Sequence, residues 1–294
     1  MSCLRVIRIK VATLVLLGVR PALSAPINLT GYVESDFART NPNVQITPIY
    51  SNPLTAGESP FIPANGWVSG WAIKDVRTSY DQATDTMYVG VDTFKNSSGV
   101  QAIVGDADGN GNAGQAGAQM ATAGGVDTPH LGGHKSVTIA FAPNGPNGVS
   151  HSGTPVVVAG VPADKSQSGP GLDGFNVAAY RIMNSGIEYN YGATLTNNLG
   201  TLAFDPSPQH PGFEFTIKNF TKVPGLNPKD GYWIGLYAGT TDDVVVGEST
   251  KDLTRIPSLE AQVATPEPAT VVSWALVAGG TLLHLRYRRR RAAR

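Results

Sequence analysis

Residues 27–250 are divided into short apolar segments by clusters of Gly, Pro, Asn and Asp, and this division excludes most folds. No segment repeats an apolar residue every 3.6 positions over the length of a helix, and 34 Gly and 21 Pro interrupt longer helices. Short strands joined by turns are typical of two packed antiparallel sheets. We therefore predict an all-β body, a single antiparallel β-sandwich or jelly-roll-like domain over residues 25–247.

The strongest strand pair is predicted between Trp67 and Phe94. Apolar residues mark the first strand as far as Val76, the polar residues 81–85 mark the turn, and residues 86–94 form the returning strand. Asp81 and Asp85, which bound the turn, are expected to shape it through side-chain-to-backbone hydrogen bonds. Seven further strands are predicted, over residues 136–142, 155–161, 175–183, 187–195, 213–220, 232–238 and 244–247.

Alternation within these strands separates an apolar face from a polar face. In the returning strand Met87, Val89 and Val91 share one face, because successive side chains point to opposite sides of a sheet. The opposite face of that strand carries Asp92. Residues 213–218 also alternate, so we expect one face of that segment in the core and the other in water.

Three segments of the body are predicted to lie outside its strands. Residues 109–125 are rich in Gly and Ala and residues 143–154 in Gly, Pro and Asn, so both are predicted loops. Residues 248–265 are polar and contain Pro, which is typical of a linker. No internal repeat divides the body, so one domain is expected.

The first 24 residues have the three parts of a secretory signal peptide. Arg5, Arg8 and Lys10 form a basic start, residues 11–19 are apolar, and Ala22-Leu23-Ser24 offers small residues for cleavage after position 24. The apolar run is too short for a permanent membrane helix. We expect export by the Sec translocon and cleavage by signal peptidase; the alternative is a buried first helix.

Cysteine chemistry is restricted by the position of Cys3, the only cysteine of the chain. This residue lies in the segment predicted to be removed. The exported body would therefore contain no disulfide, no cysteine-ligated zinc and no thiol nucleophile.

Charge is unevenly distributed, although 22 basic residues balance 22 acidic ones. Residues 1–24 contain four basic groups and no acid, and residues 266–294 contain six arginines and one glutamate. The body between them therefore keeps 12 basic and 21 acidic groups, a net charge of −9. Because such a body repels a phosphate backbone, we expect no nucleic-acid partner.

The C-terminal residues combine a Pro-Glu-Pro motif, an apolar segment and a basic cluster. Pro266-Glu267-Pro268 is followed by residues 269–285, which would span about 25 Å as a helix, the short end of what crosses a bilayer. The basic cluster would hold the end of the chain in the cytoplasm by the positive-inside rule. Its members are Arg286, Arg288, Arg289, Arg290 and Arg291.

This tail resembles the PEP-CTERM sorting signal of Gram-negative and related bacteria, in which the same three elements follow one another at the C-terminus of a protein with a signal peptide. The resemblance implies recognition by an exosortase, a membrane transpeptidase-like enzyme that would cut near Pro266-Glu267-Pro268. The protein would be anchored transiently in the inner membrane, and its body would then reach the cell surface or an exopolysaccharide matrix. An ordinary C-terminal membrane anchor is the alternative.

Residues 105–112, Gly-Asp-Ala-Asp-Gly-Asn-Gly-Asn, carry oxygen-bearing side chains at alternate positions. Such side chains, with glycines that allow a tight curl, suit a hard cation such as Ca²⁺. The pattern matches positions 1, 3, 5 and 6 of an EF-hand loop, but Gly117 stands where the bidentate Glu is needed. We therefore predict a Ca²⁺ site of another kind, with the alternative of a metal-free turn. Its predicted ligands are Asp106, Asp108, Asn110 and Asn112.

Further ligands for that cation would come from Asp92, Asp127, backbone carbonyls or water. The hairpin from Tyr80-Asp81 to Gly90, followed by this loop, also resembles modules of other exported bacterial surface β-proteins. That resemblance implies surface location and names no activity.

Three other motifs give weaker indications. His130 and His134 have the spacing of zinc ligands on a helix, but the two glycines between them oppose a helix. Ser150-His151-Ser152 lacks the Gly-x-Ser-x-Gly spacing of a nucleophile elbow. Aromatic residues on predicted strands offer a sugar-binding platform, with core packing as the favoured alternative. They are Tyr189, Tyr191, Tyr232, Trp233 and Tyr237.

Two functions are consistent with these features. The first is a non-enzymatic, exported and exosortase-processed protein of the cell surface or extracellular matrix, calcium-stabilised and interacting with polysaccharide. The second is a secreted glycan-active hydrolase that uses Asp carboxylates near residues 92–108. No two carboxylates stand out as an acid and base pair, so no catalytic residue is predicted.

Overall fold

The computed structural model describes residues 26–56, 61–112, 131, 135–144, 155–161, 175–181, 193–196, 199–240 and 249–256. Within these ranges strands dominate and helices are short. Two α-helices, α1 (Val33–Asp36) and α2 (Phe61–Ala64), have four residues each. Two 3₁₀ turns cover Pro53–Ala56 and Phe220–Lys222. The prediction of a mostly β chain with few helices is confirmed.

The described strands form two antiparallel sheets. One has the order β1-β2-β3-β9-β8 and the other the order β11-β10-β4-β5-β6-β7. Their bounds are β1 Val44–Pro48, β2 Ile73–Asp81, β3 Thr86–Thr93, β4 Lys135–Pro143, β5 Pro155–Val161, β6 Asn176–Arg181, β7 Ala193–Thr196, β8 Gly200–Leu202, β9 Phe213–Lys218, β10 Tyr232–Thr240 and β11 Ser249–Ile256.

The two sheets share one hydrophobic core. Met87, Val89 and Val91 of β3 are fully buried in it, as predicted from their alternation. Phe141 of β4 packs edge-on against Phe220, with ring centroids 5.7 Å apart. Because each large apolar side chain contributes about 1.5–3 kcal/mol on burial, this shared core is the main source of the fold's stability.

The predicted hairpin is present, but its first strand begins at Ile73 rather than near Trp67. The backbone before Ile73 bonds to a loop instead of a strand: the N–H of Gly70 donates to the carbonyl oxygen of Asp106 at 2.7 Å. Neither tryptophan there joins the sheet: Trp71 is fully buried and Trp67 is half-buried. Hydrophobicity marked the buried residues correctly but could not distinguish a buried loop from a strand.

The segment predicted as a linker contributes an edge strand, which corrects the boundary at residue 247. Strand β11 pairs antiparallel with β10 from Ser249↔Ala238 to Ile256↔Tyr232. Its sequence, Ser-Thr-Lys-Asp-Leu-Thr-Arg-Ile, is mostly polar, as is common for strands that form the edge of a sheet. Strands β1 and β8, also at an edge, were not predicted either.

The expectation that the polar face of residues 213–218 contacts water was wrong at Glu214, which is buried on the outer face of the five-stranded sheet. Residues 26–40, here called the strap, lie across the outer face of the five-stranded sheet and bury Ile27, Val33 and Phe37 in a separate apolar cluster. Val33 and Phe37 pack on Gly90 of β3, where an added Cβ would come within 2.8 Å of each. Asp92 on that face is therefore fully buried.

Several predictions concern residues outside the described ranges. They include the signal peptide over residues 1–24, the tail over residues 266–294 and most of the two predicted loops. No helix long and apolar enough to cross a membrane occurs in the described part of the chain.

Candidate functional site

A cluster of buried ion pairs lies between the strap and the five-stranded sheet. Its centre is Arg77 of β2, whose side chain is 2% exposed. The Nε–H of Arg77 donates to Asp75 Oδ1 at 2.7 Å, and its Nη2–H donates to Asp92 Oδ2 at 3.2 Å. A third bond, from Nη1 to the carbonyl oxygen of Phe37 at 2.9 Å, ties the strap to the sheet. The guanidinium thus joins two strands and the strap.

Lysines complete this ionic cluster at its rim. Lys74 donates to Glu34 of α1 and, at 3.2 Å, to Asp92, and Lys95 also donates to Glu34. The remaining Asp92 oxygen accepts a bond from Gln101 Nε2 at 2.8 Å. Three acids, Glu34, Asp75 and Asp92, therefore lie beside three bases, Lys74, Arg77 and Lys95. A fourth base, the exposed Arg39, lies 3.9 Å from Asp75.

The ionic cluster shifts the pKa values of its buried acid and of its rim acid in opposite directions. Burial raises the pKa of Asp92 from 3.8 to about 6, and the nearby charge of Asp75 adds to the rise, while Lys74 and Arg77 oppose it. Partial burial would also raise the pKa of Glu34, but hydrogen bonds from Lys74 and Lys95 lower it from 4.5 to about 2. The ionic cluster therefore raises the pKa of its fully buried acid, Asp92, and keeps its partly exposed acid, Glu34, ionised.

The second group of buried carboxylates lies in residues 105–112, here called the acidic loop. Asp106 and Asp108 are both fully buried. The two carboxylate oxygens of Asp106 accept backbone N–H bonds from Gly109 at 3.0 Å and Gly111 at 2.9 Å. Asp108 accepts bonds from the backbone N–H of Asn110 at 3.1 Å and from its side-chain amide at 3.2 Å. Backbone amides thus wrap around both acids.

The acidic loop is fixed against the segment that precedes β2. Ser69 Oγ donates to the carbonyl oxygen of Ala107 at 2.8 Å, next to the Gly70–Asp106 backbone bond. Gly109 adopts φ +69°, and a Cβ there would lie 1.8 Å from the carbonyl oxygen of Val68. The tight curl predicted from the glycines is therefore present, and Gly109 has both the conformation and the contact that require glycine.

The acidic loop carries oxygen-bearing side chains of the type that a hard cation prefers. Asp106 and Asp108 stand two positions apart, and Asn110 Oδ1 accepts the N–H of Asn112 at 2.7 Å on the same curl. Across the described residues, however, no three His, Cys, Asp or Glu side chains are grouped to hold a metal. A cation here would need carbonyl and water ligands.

The two acids proposed as additional ligands have different outcomes. Both oxygens of Asp92 are engaged by Lys74, Arg77 and Gln101 in the ionic cluster, so Asp92 belongs to that structural cluster. This corrects the expectation that it could complete the cation site. Asp127 lies outside the described residues.

The turn aspartates behave as expected in one case and differently in the other. Asp81 Oδ1 accepts the backbone N–H of Ala83 at 2.9 Å, which confirms its turn role. Asp85 adopts φ +50° and instead bonds a distant segment, accepting the N–H of Thr221 at 3.0 Å and the Tyr80 hydroxyl at 2.9 Å. Asp85 therefore links the hairpin to the turn after β9.

Core packing accounts for one of the aromatic residues suggested for sugar binding. Tyr232 is 4% exposed, and its hydroxyl lies 2.9 Å from that of Thr78 in the opposite sheet. Trp233 points to the other side of β10 and packs beside Ala140, Ala142 and Val156. Tyr189, Tyr191, His130, His134 and residues 150–152 lie outside the described ranges.

Sequence reasoning missed the ionic cluster and Glu214 of β9, which is 1% exposed on the same sheet face. A usable signal was present, since Asp75 and Arg77 stand two residues apart in β2 with the apolar Val76 between them. Paired charges at i and i+2 share one face of a sheet. Their burial depends on the strap, whose Phe37 is 40 positions from Arg77 in the sequence.

The fold and these two clusters define a class of protein only broadly: a mostly β chain of two antiparallel sheets with buried, internally bonded carboxylates. Comparison with known proteins adds no narrower class. No family model, no curated protein and no solved structure matches the chain.

Proposed function

We propose that this protein is an exported, exosortase-processed component of the cell surface or extracellular matrix, with a non-enzymatic β-sandwich body. The observation that carries the proposal is the ordered tail of Pro266-Glu267-Pro268, an apolar segment and an arginine cluster, in a chain that starts with a basic and apolar segment. Strand β11 ends at Ile256, so the body closes shortly before the proposed cleavage motif.

The geometry of the body supports a structural role. Two sheets share one core and resemble a sandwich or jelly roll, the strap seals one outer face, and Asp92 and Asp106 are fully buried. With Asp108, which is also fully buried, these are the acids of residues 92–108 that the alternative hydrolase would use. A glycosidase needs two carboxyl groups open to a sugar, about 5–10 Å apart. Fully buried acids bonded to protein donors favour the binding or structural role.

Calcium and polysaccharide are the ligands we propose for this body. Asp106, Asp108, Asn110 and Asn112 would hold Ca²⁺, which would supply charge neutralisation and rigidity to the acidic loop rather than chemistry. The ion is abundant outside cells, where sites of about 10⁻⁴–10⁻³ M are occupied. The interaction with extracellular polysaccharide is assigned to the body that Ca²⁺ stabilises, and not to the buried ion itself.

Expression of the full chain in a host with an exosortase, and in a matched strain without it, tests the sorting proposal. We expect a shortened product lacking the arginine cluster only in the first strain. Replacement of Pro266, Glu267 and Pro268 by Ala should leave the chain uncut in both strains, whereas Pro257→Ala serves as a matched control and should be cut. Uncut protein in the cytosol of both strains would contradict export and sorting together.

A further inference from the structure

Glu214 is a buried acid that the ionic cluster does not use. It lies on β9, directly opposite Gly90, which in turn pairs with Arg77 on the other side. Its side chain is 1% exposed. Oε2 accepts the backbone N–H of Gly31 in the strap at 2.7 Å, whereas Oε1 is buried and has no hydrogen-bond partner in the described part of the chain.

The strap is clamped at the residues that contact Glu214. Gly31 has φ +88°, and an added Cβ would lie 2.5 Å from the Cβ of His210, so the backbone fits this position only as glycine. The N–H of Gly212 donates to the carbonyl oxygen of Gly31 at 2.9 Å, and His210 Nδ1 lies 2.8 Å from that of Thr30. One short segment therefore holds the strap to the region just before β9.

A second acid faces this clamp from the strap itself. The hydroxyl of Thr30 donates to the Asp36 carboxylate, whose two oxygens lie 2.9 and 2.8 Å from it. The backbone N–H of Thr30 donates to the same carboxylate. Burial raises the pKa of Glu214 from 4.5 to about 8; the Gly31 N–H opposes the rise, and the charge of Asp36 adds to it. Neutral Glu214 can keep its proton between the two carboxyl groups, whereas ionised Glu214 would place two negative charges together.

We propose that the strap is a pH-sensitive cover, held over the five-stranded sheet by the neutral form of Glu214 and released when that carboxyl loses its proton to water. In the closed state Glu214 accepts the Gly31 N–H. The protonated carboxyl is the only form in which Glu214 has a donor, and a hydrogen bond from it to the Asp36 carboxylate is one of the causes that raise its pKa. Opening exposes Glu214 to solvent, where it ionises at the ordinary value for a glutamate. Ile27, Val33 and Phe37 leave the sheet in the same movement.

Each element packed around Glu214 carries other charged groups. The strap carries Glu34 and Asp36, β2 and its start carry Lys74, Asp75 and Arg77, β3 carries Asp92, and the segment before β9 carries Asp205 and His210. Burial raises the pKa of Asp92 to about 6, so Asp92 adds to the pH dependence mainly below pH 6, outside the range from pH 6 to pH 8 in which Glu214 is tested. His210 contacts the strap at Thr30 and therefore needs its own control.

Linkage fixes the sign of the effect. An acid whose pKa is higher in the closed than in the open state binds more protons when closed, so the equilibrium shifts toward the open state as pH rises between the two values. The opening constant should rise about tenfold per pH unit between the open and closed pKa values, hence roughly a hundredfold from pH 6 to pH 8, and then level off.

Hydrogen exchange of the full-length chain, purified in detergent, tests the cover. Protection factors, which are corrected for the intrinsic pH dependence of exchange, are measured for amides of residues 27–37 at pH 6, 7 and 8. We expect a roughly hundredfold loss of protection over this range. Amides of β3 and β9 should keep their protection; a parallel loss there would mean global unfolding and would overturn the proposal.

Matched variants separate Glu214 from the alternatives. Glu214→Gln keeps the shape and cannot ionise, so strap protection should become independent of pH, while His210→Gln should retain the hundredfold change. If Glu214→Gln fails to fold, Asp36→Asn is measured instead and should reduce the change, because removal of a neighbouring charge lowers the pKa of Glu214. The proposal is overturned if protection in the wild-type chain does not depend on pH. It is also overturned if folded Glu214→Gln, or folded Asp36→Asn in its place, responds to pH as the wild type does.

Discussion

The ionic cluster and the acidic loop both contain fully buried carboxylates but bond them differently. Asp92 is fully buried beside the guanidinium of Arg77 and the ammonium of Lys74. Asp106 is fully buried as well, and its carboxylate accepts backbone N–H bonds from Gly109 and Gly111. Side-chain cations neutralise the charge of Asp92, whereas backbone N–H groups carry no net charge, and the acidic loop is the one we propose as a cation site. Burial alone therefore does not distinguish a structural acid from a candidate ligand.

The largest effect should come from the centre of the ionic cluster. Arg77→Met would leave Asp75 and Asp92 buried without their main partner, and should lower the free energy of unfolding by about 3–5 kcal/mol. Urea denaturation at pH 7 measures the change. Arg39→Met is the matched control, because Arg39 is 70% exposed and its Nη2 lies 3.9 Å from Asp75, so it should cost at most about 1 kcal/mol. Equal losses would remove the distinction between a buried cluster and surface charge.

A change of backbone in the acidic loop should rank second. Gly109→Ala would place a Cβ 1.8 Å from the Val68 carbonyl oxygen at a positive φ, and should cost about 3 kcal/mol. Gly111 also has a positive φ, of +84°, but nothing lies within 4 Å of an added Cβ. Gly111→Ala should therefore cost only about 1 kcal/mol. Thermal unfolding of both variants measures the difference, and similar values would show that the loop is not packed as described.

Calcium should produce the third largest effect. At 10 mM Ca²⁺, a site of about 10⁻⁴–10⁻³ M would stabilise the protein by about 1.4–2.7 kcal/mol relative to EGTA. The double variant Asp106→Asn/Asp108→Asn should lose this response. Asp92→Asn should keep it despite a lower starting stability, since Asp92 belongs to the other cluster. Identical melting of the wild-type chain in Ca²⁺ and EGTA would remove calcium from the proposed function.

The smallest effect should come from the rim of the ionic cluster. Because the pKa of Glu34 is lowered to about 2, its ion pairs stabilise the folded state fully above pH 4.5 and progressively less as the pH falls toward 2. Glu34→Gln should therefore cost under about 1 kcal/mol at pH 7, and the variant and the wild type should converge in acid. Asp205→Asn, at an exposed acid, is the control and should show no such convergence. A constant difference down to pH 2 would contradict the ion pairing.

The apolar alternation of β3 and β9 could be predicted from the sequence, because the alternation of side chains along a strand depends only on neighbouring residues. Met87, Val89 and Val91, and likewise Phe213 and Phe215, occupy the core as their spacing predicted. The curl of the acidic loop was also predictable, since positive-φ glycines at fixed spacing act over a few residues. In contrast, the edge strand β11 was missed because its residues are mostly polar and show no apolar alternation. The structure shows it as a strand because it pairs with β10.

By itself, the sequence determined the central strands β3, β4, β5 and β9, the apolar faces of β3 and β9, and the turn at residues 81–85, because dihedral preferences and side-chain alternation act between near neighbours. The tertiary structure alone decided that Asp92 and Glu214 are buried. Glu214 bonds Gly31, which is 183 positions away, and Asp92 bonds Arg77 beneath the strap. Whether a polar side chain meets water or protein depends on which distant segment covers it, and that contact is fixed only when the whole chain packs.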